Sequence, residues 1–147
     1  MAEGMLRHEL REQGLSQFVH VDSAGTKVAK NGQRPDPRAQ KAVLSAGIDI
    51  ARLRARSIEP ADFIDFDYVL VMDKDNFASV SKRCPREYQH KLAMIMTFAA
   101  QSGVTEVPDP YYSNKAGFQQ VYNFLQQAIS GLVESIKKSK DLPQADG

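Results

Sequence analysis

Phe66-Asp67-Tyr68-Val69-Leu70-Val71-Met72-Asp73 is the stretch that decides the fold class. Its centre, Tyr68 to Met72, is an unbroken apolar run of strand length, rich in β-branched residues. A strand with one solvated face alternates apolar and polar residues. A run without alternation is what a parallel strand covered on both faces needs, so these residues predict a buried strand. Asp73, at its end, can equally cap a following helix or take part in chemistry.

Working outward, the pattern alternates. Residues 74–83 read as a helix, and Leu92 to Met96 as the next strand. Upstream, Ile58-Glu59-Pro60-Ala61-Asp62-Phe63 opens a short helix. Asp36-Pro37 supplies an N-cap and a first-turn proline for another, with Ala42, Val43 and Ala46 on its inward face and Gly47 closing it. Phe18 to Asp22 reads as a short strand, and residues 23–34 as a loop with two glycines and no periodicity. Met5, Leu6 and Leu10 share one face of a first helix ending near Gly14. At the far end, a long helix from about Lys115 to Lys138 carries Phe118, Val121, Phe124, Leu125, Ile129, Leu132, Val133 and Ile136 on one stripe. Lys137, Lys138 and Lys140 complement its dipole. Residues 1–138 thus read as one domain, and 139–147 as a disordered tail.

Strands alternating with helices make an α/β domain with a parallel sheet flanked by helices. In such sheets ligands bind beyond the carboxyl ends of the strands. Polar residues gather there: Asp22-Ser23 after one strand, Asp73-Lys74-Asp75-Asn76 after another, Asp109-Pro110 about ten residues beyond the third.

Composition narrows the class. The 147 residues, 42% hydrophobic and 25% charged, suffice for one sizeable core. A net charge of +1 gives no general field for nucleic acid or an anionic membrane. No apolar run approaches the roughly 20 residues of a membrane span, and the start lacks signal-peptide regions. A single cysteine, Cys84, forms no internal disulfide, which fits the cytoplasm. His8, His20 and His90 lack metal-ligand spacing, and nothing calls for a cofactor. Cys84 precedes Pro85 in a polar stretch, with His90 where a phosphate-gripping arginine would stand six residues on, so it is a poor nucleophile candidate. Glu9 and Glu12 read as surface helix residues, and the oligomeric state is not legible.

Single motifs are weak: Asp-Pro is a turn signal, Tyr-Tyr commonly packs, and Ser23-Ala24-Gly25-Thr26 can be a plain turn. The combination is specific. Glu3-Gly4 heads a helix, followed by Val21-Asp22-Ser23-Ala24-Gly25-Thr26, Arg34-Pro35-Asp36-Pro37-Arg38-Ala39, Phe66 to Asp73, and Val107-Pro108-Asp109-Pro110-Tyr111-Tyr112. In that order and spacing the chain resembles the low-molecular-weight protein-tyrosine phosphatase family, from Met1 to about Ile136.

The resemblance implies a three-layer fold with a four-stranded parallel sheet. It also implies hydrolysis of phosphotyrosine, in a protein or a small phosphomonoester, through a cysteinyl-phosphate intermediate. Asp109 matches the general acid, which then activates water. Tyr111 and Tyr112 match aromatics flanking the substrate ring, and Ser23 matches a serine supporting the phosphate-binding loop. Two positions depart: Ala29, followed by Lys30, stands where many members carry a cleft aromatic. Leu53 stands before Arg54-Ala55-Arg56 where many carry a loop-supporting histidine.

The family's first strand and its Cys-(x)5-Arg-(Ser/Thr)-Pro loop have no counterpart in these residues. Members often read Ser-Pro-Met-Ala-Glu-Gly after the loop arginine, and this chain begins Met-Ala-Glu-Gly. The expectation is therefore a domain lacking its first central strand, roughly fifteen residues short for a strand of average length plus loop. Such a chain is expected to be inactive and marginally stable, with unpaired strand edges. Alternatives are a non-catalytic phosphate- or partner-binding module of the same fold and, less well supported, an arsenate reductase, whose chemistry needs further cysteines.

Overall fold

The computed structural model describes residues 1–26, 31–108 and 115–140. Five helices, α1 (Ala2–Glu12), α2 (Pro37–Leu44), α3 (Pro60–Asp65), α4 (Lys74–Arg83) and α5 (Lys115–Lys140), accompany two strands, β1 (Val69–Val71) and β2 (Leu92–Met94). Two 3-10 segments, Arg86–Lys91 and Ile95–Ser102, flank β2. The strands pair in parallel, Val69 with Leu92, Leu70 with Ala93 and Val71 with Met94. α4 makes the crossover that a parallel pair needs.

Local chemistry sets the boundaries. α1 ends where Gly14 N–H reaches the Arg11 carbonyl and Leu15 N–H the Leu10 carbonyl. This Schellman arrangement needs a left-handed residue, and Gly14 supplies it at φ 71°. α2 starts at Pro37, with the Asp36 carboxylate accepting from Arg38 N–H at 2.8 Å. α4 is capped by Asp73, whose carboxylate accepts from Asn76 N–H at 2.7 Å.

The larger core packs α1, α2 and α5 around Met5, Leu10, Val43, Ile50, Met96, Leu125, Ile129 and Val133. The predicted stripe of α5 is buried throughout except at Phe124, which is partly exposed. A second cluster gathers Phe63, Val71, Val80, Cys84 and Leu92 beneath α3 and α4. Each fully buried large side chain contributes about 1.5–3 kcal/mol of burial free energy.

Several expectations are corrected. Residues 18–22 form no strand: Phe18 N–H turns back onto the Leu15 carbonyl, and no described strand lies alongside to complete a ladder. Val21 is nonetheless buried and Val19 packs against the core. The run at 68–72 is a strand only over Val69–Val71, and only Val71 of those three is buried. With a two-stranded sheet among the described residues, β1 lacks a second neighbour to cover it. The second expected strand ends at Met94, where the backbone tightens into the 3-10 segment. Ala46 is exposed, because α2 stops at Leu44. The last helix continues to Lys140, taking in the first two residues of the expected 139–147 tail, and residues 141–147 lie outside the described residues.

Candidate active site

Ser23 lies in an exposed irregular segment beside the amino-terminal end of α1. Its hydroxyl donates to Glu3 Oε1 at 2.5 Å. The Glu3 side chain is only 6% exposed, and its Oε2 pairs with Arg7 Nη2 at 2.8 Å. Arg7 also donates to the Val21 carbonyl at 2.7 Å, so one helical turn of α1 holds residues 21–23 at two points. The i, i+4 spacing of Glu3 and Arg7 puts both on the face of α1 that meets residues 21–23.

The same segment is held from a second side. Ser23 N–H donates to Asp22 Oδ1 at 2.8 Å, and Asp22 Oδ2 accepts from Arg56 Nη2 at 3.1 Å. Arg56 makes a two-pronged contact with Asp62, at 3.0 and 2.9 Å. The Asp62 bonds are the main reason the guanidinium is held still more firmly protonated than usual. Burial alone would raise the Asp62 carboxyl. The Arg56 hydrogen bonds, the Glu59 N–H and the Arg56 charge outweigh it and hold the group below the usual carboxylate range. Asp62 Oδ2 also accepts from Glu59 N–H at 2.8 Å, closing the start of α3. Beyond Ser23, Gly25 and Ser57 form a parallel bridge, with Gly25 N–H on the Arg56 carbonyl and Ile58 N–H on the Gly25 carbonyl.

At the carboxyl end of β1, Val107 N–H donates to the Met72 carbonyl at 2.8 Å. The neighbouring Glu106 accepts from Lys74 N–H at 2.7 Å. The segment leading to Pro108 is thereby tied to the strand end and to the first turn of α4. Asp73 serves there as a helix cap, which answers one of the two roles left open for it. Asp109, Tyr111 and Tyr112, the expected acid and aromatics, lie outside the described residues, as do Ala29 and Lys30. Leu53 packs against the larger core.

Cys84 caps the carboxyl end of α4 and is buried in the smaller cluster. Burial pushes its thiol pKa up, against a smaller opposing pull from Lys91. His20 stacks on Phe66, and among the described residues no group of His, Cys, Asp or Glu is arranged to hold a metal. No described helix is long and apolar enough to cross a membrane.

Sequence reasoning singled out Ser23 but not its holders. Glu3 stood in a motif that marked the resemblance and Arg56 beside the departure at Leu53, yet nothing in their local sequence assigned them to residues 21–23. Arg7 carried no signal beyond its i, i+4 spacing from Glu3.

A family model described as low molecular weight phosphotyrosine protein phosphatase matches residues 1–142. The chain belongs to that family. Among its relatives is the low molecular weight phosphotyrosine protein phosphatase of Schizosaccharomyces pombe, 33% identical over 137 residues, spanning 92% of this chain and 87% of the relative. The fold is similar to that of a protein tyrosine phosphatase from Entamoeba histolytica. The TM-score is 0.90 at 33% identity, over 95% of this chain and 88% of the other. It is also similar to YfkJ from Bacillus subtilis, with a TM-score of 0.89 at 28% identity over 95% and 86%. The α/β architecture of this family and its hydrolase class therefore apply to the chain.

Proposed function

We propose that this domain serves hydrolysis of phosphotyrosine, in a protein or a small phosphomonoester in the cytoplasm, through a cysteinyl-phosphate intermediate. The observation that carries the reading, beyond family membership, is the anchoring of Val107 on the Met72 carbonyl at the carboxyl end of β1, two residues before Asp109 in sequence. That is the edge where an α/β sheet binds its ligand. Asp109 acts as general acid on the departing phenolate oxygen and then as general base toward the water that cleaves the phosphoenzyme. Tyr111 and Tyr112 flank the phosphotyrosine ring, and Ser23 supports the phosphate-gripping loop.

The nucleophile must be a thiolate that the 147 residues do not supply in usable form. Their one cysteine is buried with a raised pKa, and a buried thiol is inert. The polypeptide on its own is therefore inactive. The same observation favours a second reading, a non-catalytic module that holds a phosphate or a partner in the cleft.

The test is p-nitrophenyl phosphate hydrolysis by two proteins. One is the 147-residue chain, and the other is that chain preceded by a strand and a Cys-(x)5-Arg-Ser-Pro segment. Turnover only in the second supports the phosphatase reading. A folded but inactive second protein moves the assignment to the binding module. Turnover by the first would mean that Cys84, or another residue, is the nucleophile.

A further inference from the structure

We infer that Glu3 is a positioning residue that fixes Ser23 as a hydrogen-bond acceptor, so that what Ser23 holds is an N–H donor and not a phosphate oxygen. The inference rests on the phosphatase reading for its catalytic meaning, but its geometry stands apart from that reading.

A serine hydroxyl has one proton and two lone pairs. At Ser23 the proton is committed to Glu3 Oε1 at 2.5 Å, a charge-assisted bond to a buried carboxylate. Reversing it would leave Glu3 Oε1 without a donor in a site that water scarcely reaches, which is unfavourable for a buried carboxylate. Arg7 Nη2 occupies Oε2 and has no proton-accepting capacity, so it cannot release the serine proton by exchange. Ser23 Oγ is left with lone pairs on an exposed segment. A phosphate dianion carries only acceptor oxygens and would meet those lone pairs repulsively. A backbone or side-chain N–H would meet them favourably. The serine thus acts on the polypeptide that grips phosphate, and Glu3 enforces that polarity.

The charges around the pair are few. Arg7 and the Met1 amine, whose pKa burial pushes down against the opposing charge of Glu3, face Glu3. Asp22, paired with Arg56, faces Ser23.

The experiment replaces the hydroxyl by a thiol that can be titrated. Ser23→Cys is made in the 147-residue chain in a Cys84→Ala background, with and without Glu3→Gln. The pH dependence of alkylation by iodoacetamide is then measured at low salt. With Glu3 present, the residue 23 thiol donates a hydrogen bond to a carboxylate whose charge opposes thiolate formation, so the thiol pKa should lie about one unit above that of the Glu3→Gln partner. Alkylation near neutral pH should be about tenfold slower. If Glu3→Gln does not fold, Glu3→Asp replaces it, withdrawing the carboxylate by one methylene, and the same downward shift is expected. Equal thiol pKa values overturn the inference. In the loop-bearing protein, Glu3→Gln should lower kcat with little change in KM, and Ser23→Ala should do the same. Absence of activity in the loop-bearing parent would sink the phosphatase reading, while the thiol titration still decides the Glu3–Ser23 polarity.

Discussion

Gly131 of α5 lies against the carbonyl oxygen of Phe98, so close that a Cβ at 131 would overlap it. The contact joins the long helix to the 3-10 segment Ile95–Ser102 and brings α5 down onto the residues that follow β2. Two effects oppose each other in Gly131→Ala. Helix propensity favours alanine by about 1 kcal/mol, while overpacking against backbone costs about 1–3 kcal/mol. The obstacle is a carbonyl that cannot rotate aside, so the steric effect wins. Urea denaturation should show a lower midpoint with an unchanged slope. A variant more stable than the parent would contradict this close packing.

Cys84 should behave as a core residue. In the native protein at pH 8, Ellman's reagent should label it slowly. In denaturant, one equivalent should appear at once. The cause is the raised pKa that burial imposes. Prompt labelling of the native state would defeat that account and restore Cys84 as a nucleophile candidate.

The Arg56–Asp62 pair gives a signed dependence on pH. The Asp62 carboxyl sits below its ordinary value of 3.8 in the folded state. Its contribution is therefore fully present above pH 3.8 and is lost as pH falls through the lower folded value. Asp62→Asn should cost about 1–2 kcal/mol at pH 7, given partial exposure of the pair. It should also flatten the decline in stability as pH falls below 3.8. Asp36, held below its ordinary value chiefly by its hydrogen bond from Arg38, is unchanged in the variant and remains as background. Parallel stability curves for parent and variant would remove Asp62 from this role.

For the proposed reaction, Asp109→Asn in the loop-bearing protein should lower kcat by about 10²–10⁴-fold on phosphotyrosine. The loss should be smaller on p-nitrophenyl phosphate, whose better leaving group needs less protonation. Equal losses on the two substrates would argue against proton donation by Asp109.

What the sequence disclosed depended on the range of the interactions involved. α4 was legible because Asp73, its cap, and the residues it caps are neighbours in the chain, and the stripe of α5 because its period repeats over many turns. Residues 18–22 misled, because a β-rich composition signals a strand only when a partner completes the ladder, and no described partner does. Val69 and Leu70 misled in the same way. Their apolar character called for burial, whereas burial is set by neighbours that a local run does not encode. In the site, Ser23 was found through the family pattern. Its dependence on Glu3 and Asp22, and through Asp22 on Arg56, spans up to 34 residues and leaves no periodic trace.

The segment at Ser23 is secured by ion pairs, Glu3 with Arg7 and Arg56 with both Asp22 and Asp62, while apolar packing holds the body of the domain. An apolar core tolerates one conservative change at a time, because neighbours can repack around it. A carboxylate that loses its guanidinium has no such recourse, and the orphaned charge destabilises the segment it once held. Drift at these five positions is therefore expected to proceed by paired exchange, with compensating changes arriving together, so that they vary as linked sets across descendants of this sequence.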